Sequence, residues 1–513
     1  MRIDQVYIKS FKNLKDFSLD LDEDKLTNVF IGKNGAGKSN LIEALVIIFR
    51  DLDLQEHTDF GYKILYFCRQ NKIEIESNAE SKQIIYTVND AKVTKKKFFQ
   101  KNGEEYLYLP KHVFAYYSGP SNRLQKHFEK HQKKFYNELL KGNDKTLRPL
   151  FYARMVHSHF VLLAFFSFYD QNAREFLEKY LDITSVESIL FVLKRPYWRK
   201  NRKEHFAKHK FWNAGGIVRE FLDDLYEYAL APLNETITVD DGFSSKSIEV
   251  TYLFIKDEQQ LMRFARKYHT NTDFFKFLES TYISDLIYEI RIRVKKSDGT
   301  VITFNELSEG EQQLLTVLGL LKFTKDNESL FLLDEPDTHL NPAWKFEYLD
   351  LIKQVVGNNE NSQVIISTHD PIVIGGLRKE EVTIFKRECS KLITKRPDFD
   401  PKGMGVAGLL TSELFGLSTT LDPKTQKQLH RKRQLMYNRA RTLEEESELK
   451  DLEKELEDMD YTKTVRDPLY EKFVKALFSR PEYQQAELTE EDLAEMEKLT
   501  NEVLSEIIEE ELE

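Results

Sequence analysis

The sequence predicts an α/β protein with two lobes of mixed sheet, a mainly helical insertion between them and a helical C-terminal extension. Residues 1–120 alternate apolar and polar positions as strands do, around one early helix, and strand patterns return in residues 285–390. Residues 121–284 instead show helical patterns rich in Lys, Phe and Tyr. Residues 391–513 are charged and helical in pattern, so we expect four regions with these boundaries.

The composition is that of a folded protein of several parts. Its 513 residues are 41% hydrophobic and 12% aromatic, which is enough to bury a sizeable core and argues against a disordered chain. The net charge of −10 would repel nucleic acid on average. Binding of nucleic acid would therefore need a local basic patch.

Cysteine usage and hydropathy predict a cytoplasmic protein. Cys68 and Cys389 are too few for a disulfide framework or a metal cluster. The N-terminal MRIDQVYIKSF alternates like a strand and lacks the apolar run of a signal peptide. The longest apolar run, Val161 to Phe168, is less than half of the ~20 residues that a spanning helix needs. We therefore expect no membrane partner.

The first lobe is expected to contain strands at IDQVYIKSF, FSLDLD and TNVFI, a helix from Ser39 to Phe49, and strands at IEIES, IIYTV and VFAYYS. The insertion is helical apart from KRPYW, AGG and the strand-like SIEVTYLFI. The second lobe begins with IYEIRIRV and VITFN, followed by a helix over 311–323, the strand SLFLLD, a helix after Pro342 and the strand QVIIST. In the extension, we predict a helical hairpin from Pro423 to Met459 and a surface helix that opens with a capping box at Thr489.

A glycine-rich loop lies between the strand TNVFI and the first helix, and it matches the pattern G-x-x-x-x-G-K-[ST]. In such a loop, backbone N–H groups surround phosphates, the lysine reaches the outer phosphates and the hydroxyl can bind Mg²⁺. An accidental glycine-rich turn is disfavoured because a strand precedes the loop and a helix follows it. The predicted nucleotide-binding residues here are Gly32, Lys33, Asn34, Gly35, Ala36, Gly37, Lys38, Ser39 and Asn40.

Two adjacent acids end the apolar strand SLFLLD. Asp334 is expected to hold Mg²⁺ together with Ser39, and Glu335 to orient or deprotonate an attacking water. The carboxyl end of a buried parallel strand is where ligands bind in α/β sheets. The cofactors predicted on this basis are ATP and Mg²⁺.

A second anion-binding helix start follows the strand VITFN, at Leu307-Ser308-Glu309-Gly310-Glu311-Gln312. With these motifs in this order, the chain resembles the ABC ATPase superfamily, specifically the branch that contains SMC, RecF and defence ATPases. The resemblance implies an ABC-type P-loop head in which the signature residues Ser308, Gly310 and Glu311 complete the ATP site of a partner subunit. It also implies a switch histidine at His369 and a D-loop from Asp337 to Pro342.

The resemblance covers roughly residues 1–120 and 285–390. It does not assign the glutamine that usually senses Mg²⁺. Gln70 is a candidate by position, while Tyr117-Ser118-Gly119 occupies the end of the later strand.

The length and composition of the insertion indicate which branch of this superfamily the chain resembles. It is too short for the coiled coils of SMC proteins and contains no Cys-x-x-Cys zinc hook. The Asp-x-Asp at Asp458-Met-Asp460 ends a charged helix and does not suggest a Toprim nuclease. The chain is most similar to Septu ATPases of anti-phage systems, including in GVAGLLTSELFGLSTTLDP and TVRDPLYEKFV.

That resemblance implies a head-to-head homodimer within a higher oligomer and an HNH nuclease subunit as partner. A reverse transcriptase with its RNA or DNA is a further partner that it suggests. The competing function is that of a RecF-like repair ATPase acting directly on DNA. A neighbouring HNH or reverse-transcriptase gene would favour the first function, and stimulation of ATP hydrolysis by plain DNA the second.

A basic and aromatic patch in the insertion is a candidate nucleic-acid surface, because interleaved cations and rings suit phosphate contacts and base stacking. A solvated helix face with core aromatics is the alternative. A second candidate runs from Arg123 to Lys141. The patch comprises Lys194, Arg195, Trp198, Arg199, Lys200, Arg202 and Lys203, and continues to Lys208, Lys210 and Trp212.

Overall fold

The computed structural model describes residues 1–103, 105–140, 149–196, 210–241, 244–324, 328–356, 362–388, 391–437 and 442–458. The chain divides into two compact units, residues 1–417 and 418–513. The fold is mixed α/β, as the sequence predicts. The four predicted regions do not follow this division, and their boundaries remain a prediction.

The strands are β1 (Arg2–Phe11), β2 (Leu14–Asp20), β3 (Thr27–Ile31), β4 (Tyr62–Cys68), β5 (Asn71–Asn78), β6 (Gln83–Val88), β7 (Ala91–Val93), β8 (Lys101–Asn102), β9 (Glu105–Tyr106), β10 (His112–Tyr117), β11 (Leu150–Tyr152), β12 (Ile183–Lys194), β13 (Leu230–Asp241), β14 (Ser244–Ile255), β15 (Ile287–Lys296), β16 (Val301–Thr303), β17 (Ser329–Asp334), β18 (Ser362–Ser367), β19 (Val382–Glu388) and β20 (Lys391–Lys395). The α-helices are α1 (Lys38–Leu54), α2 (Lys95–Phe98), α3 (Glu129–Leu140), α4 (Val156–Ser167), α5 (Gln171–Leu181), α6 (Gly216–Tyr228), α7 (Glu258–Ala265), α8 (Asn271–Ile283), α9 (Glu309–Thr324), α10 (Pro342–Val356), α11 (Pro371–Ile374), α12 (Gly405–Thr411), α13 (Pro423–Tyr437) and α14 (Leu443–Asp458). Short 3₁₀ helices lie at Gln125–His127, Lys210–Asn213, Phe304–Glu306 and Lys379–Glu381.

A seven-stranded sheet in the order β11-β10-β17-β18-β3-β19-β20 forms the centre of the first unit. Its strands are parallel except for β20, which pairs antiparallel with β19. Every residue of β17 and β18 is buried, which explains why these strands are apolar runs without alternation. Parallel strands end at a common edge, so the residues that follow β3, β17 and β18 meet there.

Two hydrophobic cores cover the faces of this sheet. Leu330 and Leu332 face a core shared with α1 and the antiparallel sheet β2-β1-β4-β5-β6-β7. Phe331 and Leu333 face the other core, which includes α4, α8, α9 and α10. The helix that follows the glycine-rich loop is therefore packed between two sheets.

The insertion contains more strand than its sequence pattern suggests. Strands β12, β13 and β14 join β15 and β16 in an antiparallel sheet of order β13-β14-β12-β15-β16. The strand β15, which the sequence assigns to the second lobe, pairs along β12 of the insertion. The strand β12 contains the run ILFVL, and an apolar run of this length does not distinguish a buried strand from a helix.

The C-terminal extension also begins differently from the prediction. Residues Lys391–Lys395 form β20 at the edge of the seven-stranded sheet, because the chain turns back after β19 and pairs with it. In the second unit, α13 and α14 form the predicted helical hairpin, held by the Arg431–Glu448 ion pair at 2.7 Å. The predicted helix after Thr489 lies outside the described residues.

No helix in the part of the chain that the structure describes combines the length and the apolar character that crossing a bilayer requires.

Candidate active site

The glycine-rich loop is already shaped to surround an anion. It connects the end of β3 to the start of α1, and Gly37 has a φ of 95°, a left-handed conformation that favours glycine. The Asn13 side chain donates to the carbonyl oxygen of Gly35 at 2.9 Å. The N–H of Ala36 donates to the carbonyl of Lys33 at 3.0 Å. The loop's own hydrogen bonds therefore hold it in place.

Lys38 is the first residue of α1, directly after the last glycine of the loop, and is 5% exposed. Its Nζ donates to the carbonyl oxygen of Gly32 at 2.6 Å. Burial lowers the pKa of Lys38, and the charges of Glu335 and Asp334 act in the opposite direction. A phosphate oxygen would supply this buried ammonium with a charged acceptor in addition to the carbonyl.

Asp334 lies at the carboxyl end of β17, in register with Tyr117 on one side and Ser367 on the other. Its Oδ1 accepts hydrogen bonds from Ser39, at 2.8 Å, and from Ser367. Its Oδ2 is buried and accepts no hydrogen bond from the described residues. Burial raises the pKa of Asp334. A buried carboxylate oxygen without a donor, beside a serine hydroxyl, fits a bound Mg²⁺.

Glu335 and His369 face each other across the neighbouring strand ends. His369 Nδ1 lies 3.2 Å from Glu335 Oε1, within hydrogen-bond distance. Glu335 has a φ of 53° and its N–H donates to the Ser367 carbonyl at 2.9 Å. A positive φ at a residue other than glycine costs about 1 kcal/mol or more and is concentrated at functional sites. The Glu335 side chain lines the same cavity as the glycine-rich loop.

Lys38, Ser39, Glu335 and His369 line a cavity of about 310 Å³, and Asp334 is not among its lining residues. Gly32 and Lys33 are not among its lining residues, and Lys33 is exposed. The signature residues Ser308, Gly310 and Glu311 do not line it either. The lining consists of Asn34, Gly35, Ala36, Gly37, Lys38, Ser39, Asn40, Tyr117, Arg123, Glu335 and His369.

The signature forms a capped helix start outside the lining of this cavity. Ser308 Oγ and its backbone N–H both lie 2.7 Å from Glu311 Oε2, and Ser308 Oγ accepts from the Glu311 N–H at 3.3 Å. Ser308 is exposed and thus accessible to another molecule. Gly310 is buried, and a Cβ there would overlap the carbonyl oxygen of His339. Glycine at this position allows α9 to lie close against the loop that contains His339.

Asp337 belongs to the same loop as His339, between β17 and α10. It is buried and accepts a hydrogen bond from Thr368 Oγ1 at 2.8 Å. Its Oδ1 has no hydrogen-bond partner among the described residues. Burial raises the pKa of Asp337 to about 6. The folded protein therefore binds a proton here at a pH where the unfolded chain has already released it.

This pKa predicts how stability depends on pH. An acid with a raised folded pKa favours folding when protonated, so its stabilising contribution is lost as pH rises through about 6. Compared with Asp337→Asn, the unsubstituted chain should gain about 2 kcal/mol of unfolding free energy between about pH 7.5 and 4.5. Urea unfolding at both pH values measures this difference. Asp350→Asn, on the exposed side of α10, is the matched control, and an equal change in that variant would contradict the prediction.

The structure also shows a cavity residue that the motifs do not identify. Arg123 lies six residues after the end of β10 and lines the cavity beside Tyr117. The sequence marks Arg123 only as the start of a basic stretch, because no motif links it to the glycine-rich loop. Gln70, the candidate glutamine, lies in the turn between β4 and β5 and is not among the lining residues.

The described part of the basic patch is paired or buried. Lys194 contacts Asp285 at 2.6 Å, Arg195 lies 4.0 Å from Glu249, and Lys210 contacts Asp223 at 2.7 Å. Trp212 is 1% exposed and is part of the hydrophobic core. The prediction that its ring contributes to a stacking surface is therefore wrong. Trp198, Arg199, Lys200, Arg202, Lys203 and Lys208 lie outside the described residues.

Comparison with known proteins identifies one family and several relatives. Residues 1–374 match the family model described as AAA ATPase domain. The Septu protein PtuA of Bacillus mycoides (strain KBAB4) is 28% identical over 199 residues, which cover 36% of this chain and 27% of that protein. The Retron Vc95 probable ATPase of Vibrio cholerae serotype O1 biovar El Tor is 25% identical over 124 residues, covering 22% and 24%.

The DNA replication and repair protein RecF of Halothermothrix orenii (strain H 168 / OCM 544 / DSM 9562) is 27% identical over 172 residues, which cover 29% of this chain and 44% of that protein. The matched regions thus span less than half the length of each of these three relatives.

Proposed function

The chain is an ATPase of the AAA ATPase domain family, and from this we propose that it is the ATP-binding and ATP-hydrolysing subunit of an anti-phage defence system. In this role it regulates an associated nuclease. The observation that carries the ATPase part of this proposal is the convergence of Lys38, Ser39, Glu335 and His369 on one cavity at the carboxyl edge of the central sheet. Such an arrangement has the parts that phosphoryl transfer needs.

Each residue has a distinct task in the proposed reaction. The loop amides and Lys38 bind the phosphates of ATP. Ser39 and Asp334 would hold Mg²⁺, which would supply positive charge beside the phosphates. Glu335 accepts a hydrogen bond from the attacking water and takes its proton as the water oxygen bonds to the terminal phosphorus. The bond between that phosphorus and the bridging oxygen breaks at the same time, and ADP leaves with the bridging oxygen. His369 fixes the Glu335 carboxylate through Nδ1, and in the proposed reaction its other ring nitrogen contacts the terminal phosphate.

The exposed signature supports a composite site. In the described residues, Ser308 and the start of α9 present an anion-binding helix end that does not belong to the cavity of the same chain. We infer that they bind the ATP held by a second copy in a head-to-head homodimer. Two-fold symmetry then generates two equivalent sites.

Similarity to a Septu protein and to a retron ATPase supports the defence role. We infer an HNH nuclease subunit as the regulated partner, and a reverse transcriptase with its nucleic acid as a further component. Similarity to RecF favours a second function, an ATPase that acts directly on DNA. The two functions differ in what stimulates hydrolysis: a partner complex in the first, plain duplex DNA in the second.

A substitution in the loop tests the proposed function. The chain is expressed with the genes that flank it and purified, and ATP affinity, ATP hydrolysis and DNA cleavage by the purified complex are measured. Lys38→Ala should abolish ATP binding, because this ammonium is the cation of the loop that lines the cavity, and nuclease regulation by ATP should be lost with it. Lys63→Ala removes an exposed lysine of β4 that lies outside both the loop and the cavity lining, and it should change neither.

Three results would argue against this assignment. Undiminished ATP affinity in Lys38→Ala would contradict the nucleotide site. If DNA cleavage by the unsubstituted complex were the same with and without ATP, the proposed regulation of the nuclease by this ATPase would be contradicted. Stimulation of the isolated chain by plain duplex DNA would favour the RecF-like function.

A further inference from the structure

Arg123 is held at the wall of the phosphate cavity by two side chains of α1. Its Nη2 donates to Asn40 Oδ1 at 2.8 Å and to Glu43 Oε2 at 3.0 Å. Its Cζ lies 5.8 Å from the centre of the Tyr117 ring, within the range of a cation–π contact. Asn40 and Glu43 follow Ser39 on α1, so the guanidinium lies on the side of the cavity where Ser39 meets Asp334.

The other N–H groups of this guanidinium form no hydrogen bond with the described residues. Nε is buried and has no acceptor among the described residues, and the hydrogen bonds formed with them use Nη2 alone. Nη1 also forms no hydrogen bond with the described residues, but unlike Nε it is not buried. It is therefore the donor of this guanidinium that a ligand in the cavity can reach, and a partly buried arginine head with unpaired donors calls for an explanation.

Glu43 fixes the position of Arg123. Its carboxylate is 1% exposed and contacts Lys12, His127 at 3.0 Å and Lys126 at 3.8 Å in addition to Arg123. Burial alone would raise the pKa of Glu43, but the hydrogen bonds from His127, Lys12 and Arg123 lower it to about 2. The carboxylate therefore stays ionised at neutral pH and keeps the guanidinium in place before any ligand binds.

The position of Arg123 relates it to the terminal phosphate. Tyr117, beneath the guanidinium, is in register with Asp334. Among the residues that line the cavity, Arg123 supplies a guanidinium and Lys38 an ammonium. A guanidinium presents a planar fork that matches phosphate oxygens, which a lysine ammonium does not.

We propose that Arg123 contacts the terminal phosphate of ATP within its own chain, through its free N–H groups, and thereby distinguishes ATP from ADP. This assignment rests on the proposed ATPase function. Arg123 would thus be a charged residue, shortly after the end of β10, that responds to the nucleotide. The tripeptide Tyr117-Ser118-Gly119 at this strand end contains no glutamine that could sense Mg²⁺. Glu43 is a positioning residue that acts through Arg123.

Nucleotide affinities of the full-length chain test the proposal. ATP and ADP binding are measured with Mg²⁺ by calorimetry for the unsubstituted chain, Arg123→Gln, Arg123→Lys and Lys12→Gln. Arg123→Gln should weaken ATP binding on the order of tenfold more than ADP binding, because a charged hydrogen bond to the terminal phosphate is lost. Arg123→Lys keeps the charge without the fork and should restore part of the preference for ATP.

Lys12→Gln is the matched control. Lys12 bonds the same carboxylate oxygen of Glu43 as Arg123 does, but it does not line the cavity. The ATP-to-ADP preference of this variant should match that of the unsubstituted chain. Thermal unfolding of each variant shows whether the fold is retained, and Arg123→Lys serves as the test variant if Arg123→Gln does not fold.

Two outcomes would overturn the assignment. An equal loss of ATP and ADP affinity in the Arg123 variants, or the same change of preference in Lys12→Gln, would mean that Arg123 serves only to pair with Glu43. An unsubstituted chain that binds neither nucleotide would instead overturn the proposed function, and this assignment with it.

Discussion

Glu335→Gln is expected to slow ATP hydrolysis by about 100-fold or more while ATP affinity stays unchanged. The amide keeps the size of the side chain and its oxygen can still face His369, but it cannot take a proton from water. Glutamine also tolerates the positive φ of this position about as well as glutamate does. Because ATP binds and persists, the variant should accumulate as a closed dimer, which sizing in the presence of ATP would detect.

The same chemical change elsewhere is the control. Glu235→Gln replaces an exposed carboxylate on β13 and should leave both binding and turnover unchanged. Single-turnover hydrolysis separates the chemical step from product release. If Glu335→Gln turned over ATP at the rate of the unsubstituted chain, the proton acceptor would have to be another group of the cavity.

Ser308→Arg is expected to abolish ATP hydrolysis without reducing the ATP affinity of a single chain. Ser308 is exposed at the start of α9 and absent from the cavity of its own chain, so a bulky cation there would block only the nucleotide of a facing copy. Mixing Ser308→Arg chains with Lys38→Ala chains produces heterodimers in which one site carries both defects and the other carries neither. The mixture should therefore recover part of the activity that each variant lacks alone.

Ser308 also caps α9, so loss of the cap must be separated from loss of the composite site. Thr270→Arg removes an exposed N-cap at α8, where Thr270 Oγ1 accepts from the Asp273 N–H at 3.0 Å. Each cap contributes about 1 kcal/mol to stability, but only Ser308→Arg should stop hydrolysis. Gly310 is less suitable for this test, because any side chain would overlap the His339 carbonyl within the same chain.

A covalently linked heterodimer with one intact site distinguishes coupled sites from a wrong composite-site model. Turnover in this molecule supports the composite site. Full activity of Ser308→Arg homodimers would contradict it directly.

The α/β class, the glycine-rich loop and the order of the motifs could all be predicted from the amino-acid sequence. These features are local: a strand, a loop and a helix start are adjacent in the chain, and each pattern contains its own chemical reason. The motifs also predicted that Lys38, Ser39, Glu335 and His369 would meet, because parallel strands end at one edge of a sheet.

Folding also brings to that edge residues that no sequence motif identifies. Arg123 lines the cavity because Glu43 and Asn40, about 80 residues earlier in the chain, bond its guanidinium. Trp212 became part of the core instead of a stacking surface, and β20 joined the central sheet instead of starting a helical extension. Each of these outcomes depends on burial and pairing between distant segments. Such contacts leave no periodic pattern in the sequence, because their free energy comes from partners that only folding brings together.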